Sequence, residues 1–156
     1  MLSGFGMKYW DDFERRAKET INNIDTPNNL RPRRISIHIT NKCNFNCSYC
    51  NEIHANKIMS LEVFKKIVKE FSEIGGGIIH VTGGEPSTIG NLSDYINYTT
   101  VFSNIDFHLN TNLYENIISY SIWKHVKRLK VSLDTYDPII FDSLTNKFGA
   151  YIGGQR

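Results

Sequence analysis

The sequence predicts an α/β protein: a partial (β/α) barrel of about four parallel strands, preceded by an N-terminal amphipathic helix. Strand-like and helix-like segments alternate along the chain, and each strand-like segment carries apolar residues in one phase and polar residues in the other. Apolar residues at helical spacing over 7–24 predict the leading helix.

The four predicted strands are "RISIHIT" (34–40), "IIHVT" (78–82), "IDFHLNT" (105–111) and "RLKVSLD" (128–134). The helices between them are predicted over 61–74, 91–102 and 115–126, and "DPIIFDSLTNKF" is expected to form one more short helix. Strand, helix and strand in this order indicate βαβ units on a parallel sheet. The polar connector "DTPNNLRPRR" then divides the chain into an N-terminal helix with its linker (1–33) and a core domain (34–156).

The polar phase of the strands indicates a ligand-lined surface. Parallel strands that are covered on both faces usually read as continuous apolar runs. The polar residues are therefore expected on the inner face of a curved sheet around a polar ligand, although an open sheet with one solvated face remains an alternative. The apolar residues, among them Ile37, Val81, Phe107 and Val131, are expected to pack against helices. His38, His80 and His108 fall in this phase, and we expect hydrogen-bonded lining residues rather than a metal-binding trio.

Composition limits the class of protein. With 156 residues, 40% hydrophobic and 22% charged, the chain resembles an ordinary single globular domain. A net charge of +2 gives no strong signal for nucleic acid or an acidic membrane. The sequence has no apolar run of transmembrane length and no secretory signal, and its clustered thiols suit a reducing cytoplasm.

All three cysteines lie in "CNFNCSYC", residues 43–50, directly after the first strand. Ligands of α/β folds bind at this carboxyl end of the sheet. An odd number of close neighbours argues against disulfides and for metal ligation. Iron–sulfur clusters ordinarily take four thiolates, so three would leave one iron open. His54 offers a competing interpretation, a Cys3His structural zinc site.

Two motifs together carry a family resemblance. The motif Cys43-x3-Cys47-x-Tyr49-Cys50 resembles the signature of the radical S-adenosylmethionine (radical SAM) superfamily, and "TGGEP" (82–86) resembles its second motif. The segment "VSLDTYDPIIFDSLT" (131–145) is similar to the fourth-strand region of the molybdenum-cofactor GTP cyclases. The resemblance extends over about residues 34–147.

The resemblance implies a radical SAM enzyme in which Cys43, Cys47 and Cys50 bind a [4Fe–4S] cluster and S-adenosylmethionine binds the open iron. An electron donor such as a flavodoxin or ferredoxin would reduce the cluster, and the cleaved cofactor would yield a 5′-deoxyadenosyl radical that abstracts a substrate hydrogen. In the family, glycines admit the ligand and neighbouring side chains contact its amino, carboxylate, ribose or adenine groups. The matching positions here are Tyr49, Gly83, Gly84, Glu85, Pro86, Thr111, Asn112 and Ser132. Asn110 is an alternative on the third strand, because Leu113 stands where many relatives carry glycine.

The resemblance is incomplete in two respects. The auxiliary cluster of the GTP cyclases has no counterpart, because the sequence holds no second cysteine cluster, and the substrate is therefore not assigned. Family barrels ordinarily have six βα units, whereas four strands are predicted here. We therefore expect either the N-terminal part of a larger enzyme or a chain that needs a second chain to complete the barrel. A catalytically incomplete relative remains an alternative.

Overall fold

The computed structural model describes residues 15, 32–115 and 120–153. The predicted N-terminal helix over 7–24 therefore lies outside the described residues, apart from Arg15. The chain divides between residues 32 and 33 into two units. The four predicted strands all lie in the second unit, and the proposed domain organisation (1–33 and 34–156) stays a prediction.

Strands and helices alternate in the predicted order. The strands are β1 (Arg34–Thr40), β2 (Ile78–Gly83), β3 (Asp106–Thr111) and β4 (Val126–Val131). The helices are α1 (Leu61–Glu73), α2 (Leu92–Thr99), α3 (Tyr120–Trp123), α4 (Pro138–Thr145) and α5 (Ala150–Gly153), with a 3₁₀ turn at Pro86–Thr88. The first three strands match their predicted bounds closely, but β4 ends at Val131, short of the predicted end at residue 134.

Helix α1 shows how local sequence sets these bounds. The Ser60 hydroxyl accepts a hydrogen bond from the Val63 N–H (3.3 Å), which caps the first turn as the sequence predicts. Gly75 ends the helix with a φ of 83°, a left-handed conformation that glycine adopts without a steric penalty.

The four strands form one parallel sheet in the order β1-β2-β3-β4. This confirms the predicted α/β class with four parallel strands. None of the helices in the described part of the chain is long and apolar enough to cross a membrane.

The alternation of the strands separates two faces, as predicted. On the face that we call the apolar face, residues of β1, β2 and β3 pack with α1 and α2 into one core. Its fully buried members are Ile39, Phe64, Val68, Ile79, Val81, Ile89, Leu92, Tyr95, Ile96, Phe107 and Leu109. On the opposite face, which we call the polar face, Ser36, His38, Arg128 and Lys130 are exposed.

The apolar face of β4 departs from the prediction. Val131 was expected to pack against a helix, yet its side chain is 43% exposed, and Leu129 is 40% exposed. The helix that follows β4 does not cover them. Phe141 of α4 packs instead with Phe45 of the segment 41–57, which carries the three cysteines and which we call the cysteine loop. The alternation therefore gives the correct face of β4 but not its burial.

Candidate functional site

The cysteine loop follows β1, and hydrogen bonds join its first residues to Lys57 at its end. The Asn41 N–H donates to the Lys57 carbonyl (3.2 Å), and the Lys57 N–H donates back to Asn41 Oδ1 (3.0 Å). The Thr40 hydroxyl donates to the same Lys57 carbonyl (2.9 Å). The closed base holds the loop at the carboxyl end of the sheet, where the sequence predicts the site.

The three thiols line one cleft. Cys43 and Cys47 are half-buried and Cys50 is exposed. Burial raises the pKa of the Cys43 thiol, although the Phe45 N–H donates to its sulfur (3.4 Å) and acts in the opposite direction. Burial also raises the pKa of Cys47, and the neighbouring Cys50 contributes to the same rise. A bound cation would offset both effects, because it stabilises thiolates.

Helix α4 holds the outer side of the loop. The Asn46 N–H donates to the Thr145 carbonyl (3.1 Å) and the Ser48 N–H to the Leu144 carbonyl (2.9 Å). These bonds occupy carbonyls at the end of α4, which an isolated helix leaves without partners. Asp137 before Pro138 marks the start of this helix in the sequence, but no local pattern indicates that it holds the loop.

A cation also fixes the inner turn of the loop. The Lys147 ammonium lies 4.1 Å from the centroid of the Tyr114 ring and 5.7 Å from that of Phe45. It donates to the Asn44 carbonyl (3.0 Å). The cation–π contacts and the hydrogen bond together link the loop to the residues after β3 and α4.

The two glycines of the GGEP segment lie against backbone. A Cβ atom on Gly83 would stand 2.2 Å from the Thr40 carbonyl oxygen, and one on Gly84 would stand 2.3 Å from that of Lys42. The Gly84 N–H donates to the Thr40 carbonyl and the Glu85 N–H to the Lys42 carbonyl, both at 2.8 Å. The family resemblance predicts that these glycines admit a ligand, and Gly84 does line the cleft. In the structure they also allow close approach of the end of β1 and of the segment that follows it.

The Glu85 carboxylate points into the protein and ties β2 to β3. Its Oε1 accepts from the Thr111 hydroxyl (2.6 Å) and the Ser87 N–H (2.9 Å), and its Oε2 accepts from the Asn112 N–H (2.6 Å). The residue is only 2% exposed. A carboxylate offers about four acceptor positions, so one remains for a ligand in the cleft.

Most of the predicted cofactor residues share the cleft with the thiols. Those that line it are Tyr49, Gly84, Glu85, Thr111, Asn112 and Ser132. Gly83 and Pro86 are absent from the lining of this cleft, and Pro86 is buried at the start of the 3₁₀ turn. These two residues therefore do not line the cleft, and they contribute to the site only through the backbone of the GGEP segment.

Residues around the cleft differ in how far their polar atoms are already engaged. Tyr49 is 54% exposed and its hydroxyl donates to Asp134 Oδ2 (2.5 Å). The Asn112 amide donates to Asn44 Oδ1 (2.8 Å). Asn110 differs: its Nδ2 donates to Thr82 (3.3 Å), while its buried Oδ1 has no partner within the described residues. Among the third-strand candidates Asn110 thus offers the free acceptor.

The donor set can be compared with the two predicted metal sites. The three thiols line one cleft, which fits a cluster that three thiolates hold and that leaves one iron open. Cys50 Sγ lies 3.8 Å from His54 Nε2, the pair of ligands that the Cys3His zinc interpretation requires. No three of the His, Cys, Asp and Glu side chains within 32–115 and 120–153 are placed to hold a single metal ion.

A family model agrees with the position of this site. The model described as the Radical SAM superfamily matches residues 37–151, which include the cysteine loop, the GGEP segment and α4.

Curated relatives give a consistent match. The chain is 30% identical over 132 residues to a GTP 3′,8-cyclase of Vibrio parahaemolyticus, which covers 77% of this chain and 40% of the relative. It is 36% identical over 120 residues to a probable GTP 3′,8-cyclase of Methanococcus maripaludis, which covers 72% of this chain and 40% of the relative. The chain thus spans about 40% of the length of these relatives.

Solved structures share the fold. Streptococcus suis SuiB bound to S-adenosylmethionine matches with a TM-score of 0.64 at 18% identity, over 86% of this chain and 33% of that one. Native anSMEcpe with bound AdoMet and a peptide matches with a TM-score of 0.60 at 21% identity, over 80% of this chain and 40% of that one. At these identities the likeness concerns the fold.

Proposed function

Because the chain belongs to the Radical SAM superfamily, we propose that Cys43, Cys47 and Cys50 hold a [4Fe–4S] cluster and that the cleft beside them binds S-adenosylmethionine. These are the cofactors of the family, as the sequence predicts. The single observation that supports the proposal is the shared cleft, which brings three thiols together with polar residues from the ends of β2, β3 and β4.

When bound, the cluster, reduced by one electron from an external donor, and S-adenosylmethionine would together supply the chemistry for abstracting a hydrogen atom from a substrate. The residues of the chain bind and orient this pair. The buried Asn110 Oδ1 and the free position of the Glu85 carboxylate are suited to accept from the cofactor's amino group. Ser132 and Tyr49 both line the cleft. The Ser132 hydroxyl is suited to donate to the cofactor's carboxylate, and the Tyr49 ring is suited to stack on its adenine.

The test is anaerobic reconstitution with iron and sulfide. We expect about four irons per chain, and Cys43→Ala, Cys47→Ala and Cys50→Ala should each abolish the cluster, because no other thiol exists in the sequence. His54→Ala is the matched control and should keep its iron. Uptake of one zinc ion that His54→Ala abolishes would instead establish the Cys3His alternative.

A second proposal concerns completeness. The exposed apolar face of β4, where Leu129 and Val131 are each about two-fifths exposed, suits a neighbouring structural element that the described residues do not supply. We infer that rapid turnover needs further strands, from a longer chain or from a second one, because electrostatic contacts in an active site gain strength when water is excluded. Fast release of 5′-deoxyadenosine by a confirmed monomer of this chain would contradict this.

The free thiols and the proposed cluster bear on the cellular location of the protein and on its electron donor. We propose a reducing cytoplasmic location and an electron donor such as a flavodoxin or ferredoxin, because both the free thiols and the cluster require reducing conditions. Cluster reduction by either donor, followed through the loss of visible absorbance, tests the second part.

A further inference from the structure

The polar face carries an ordered row of side chains below the cofactor cleft. The strand register pairs Ser36 with His80, His80 with His108, and His108 with Arg128. Neighbouring strands lie about 4.8 Å apart, so the row spans about 14 Å across the sheet. Ser36 Oγ lies 3.4 Å from His80 Nδ1, which links the first two members.

A bulge in β4 brings the arginine into this row. Phe107 pairs with Val126 and His108 pairs with Arg128, so Lys127 is left without a partner in the register. Without the extra residue, Lys127 would lie opposite His108 and Arg128 would turn to the other face. Bulges that re-aim side chains in this way recur beside functional sites.

Positive charge dominates this face. Arg34 and Arg128 both act on the imidazole of His108, and Arg34 and Lys130 act on that of His80. Against these three permanent cations stands the Asp106 carboxylate. No ion pair engages Arg34, Arg128 or Lys130 within the part of the chain that the structure describes.

Burial and these cations lower the pKa of two imidazoles on this face. Burial is the main cause that lowers the pKa of His108, followed by Arg128 and Arg34, while Asp106 opposes them. Burial likewise lowers the pKa of His80, followed by Arg34, His108, Lys130 and His38. On the same face, His38 lies 3.6 Å from the Glu52 carboxylate, so Glu52 is already engaged.

His108 supplies an independent sign of a missing ligand. Its side chain is only 9% exposed, yet its buried Nδ1 has no hydrogen-bond partner among the described residues. Buried polar atoms are nearly always paired, with protein or with a bound species. An orphan nitrogen beside unpaired cations suits an anion that accepts hydrogen bonds.

We propose that the row Ser36–His80–His108–Arg128, with Arg34 and Lys130 at its borders, binds an oxyanion, phosphate or carboxylate, carried by the substrate. This inference rests on the proposed function, because it places an anionic part of the substrate below the cofactor cleft. Asn110 and Thr82 stand two residues beyond His108 and His80 on their strands, and Asn110 donates to Thr82 (3.3 Å). Asn110 also lines the cleft with the thiols, so the row and the cleft lie on neighbouring parts of the same strands.

The experiment uses inorganic triphosphate and citrate as separate probes on the full chain at low salt, with calorimetry for affinity and NMR for the histidine pKa values. We expect binding of at least one probe and a rise in the pKa of His80 and His108, since a bound anion stabilises the imidazolium. Arg128→Gln and Lys130→Gln should each weaken binding by about tenfold, the loss typical of one hydrogen bond to a charged group. Arg128 is exposed, so this variant should fold.

The matched control is Lys124→Gln, which removes an exposed cation from the turn before β4 and should leave binding unchanged. Preference for triphosphate assigns a phosphate group, and preference for citrate assigns a carboxylate. Binding of neither probe, or equal weakening by all three variants, would overturn the inference. Cys43→Ala separates the two proposals: it should lose the cluster and keep the anion. Anion binding by a chain that never assembles a cluster would refute the proposed function and leave the anion site standing.

Discussion

Strands β3 and β4 lie side by side with the same alternation, yet they differ sharply in burial. Leu109 of β3 pairs in register with Leu129 of β4; the first is 1% exposed and the second 40%. Helices α1 and α2 cover the core to which Leu109 belongs, whereas α4 leaves β4 and packs on the cysteine loop. The alternation of a strand therefore decides which face a residue occupies, and the helix packing decides whether that face is buried.

The largest expected effect tests this contrast directly. Leu109→Ala should lower the free energy of unfolding by about 2–5 kcal/mol, because it opens a cavity in the core. Leu129→Ala should lower it by only about 1 kcal/mol, because much of that side chain is already in water. Urea denaturation of both variants measures the difference. Equal losses of unfolding free energy would show that another element covers β4 in solution. The difference in exposure between Leu109 and Leu129 would then not hold for the protein in solution.

Two carboxylates at the carboxyl end of the sheet show a second contrast in burial. Glu85 is buried and ties β2 to the end of β3, whereas Asp134, just after β4, is exposed and accepts from the Tyr49 hydroxyl. We expect Glu85→Gln to cost about 1–3 kcal/mol of unfolding free energy, since an amide nitrogen would face N–H and O–H donors. Asp134→Asn should change it by less than about 0.5 kcal/mol.

Thermal and urea unfolding of these two variants, both of which replace a carboxylate with its amide, provide the measurement. A smaller cost for Glu85→Gln than for Asp134→Asn would show that the tie between β2 and β3 contributes little. The cofactor cleft would then depend mainly on the hydrogen bonds of the loop with Lys57, Leu144 and Thr145.

Much of this fold follows from local sequence. Period-two alternation identifies the faces of every strand, and Ser60 and Gly75 mark the ends of α1, because these signals act within a few residues. Other features depend on contacts between distant segments. The seating of α4 on the cysteine loop joins Ser48 to Leu144, and no local pattern in either segment specifies the partner.

The features of the site likewise fall into those that the sequence predicts and those that depend on contacts between distant segments. The cysteines and the GGEP segment are recognisable from their spacing. That the two glycines approach Thr40 and Lys42, and that the Glu85 side chain turns inward, depends on how the ends of β1, β2 and β3 meet. The bulge at Lys127 is likewise a matter of register between two strands, and it decides which cation faces His108.

A further contrast concerns backbone conformation in the turn after β3 and at the end of α4. Leu113 has a φ of 56°, and Asn146, at the end of α4, has a φ of 52°. The left-handed region costs most residues roughly 1–2 kcal/mol, whereas asparagine and glycine tolerate it. The strain at Leu113 persists because the Thr111 hydroxyl accepts from the Leu113 N–H (3.1 Å) while it donates to Glu85. We therefore expect Leu113→Asn to raise the free energy of unfolding by up to about 1 kcal/mol, and the reciprocal Asn146→Leu to lower it by about 1 kcal/mol. Urea denaturation of both variants checks the opposite signs. A loss in Leu113→Asn would show that the packing of the leucine side chain outweighs the backbone strain, and that the tied end of β3 depends on this residue as well as on Glu85.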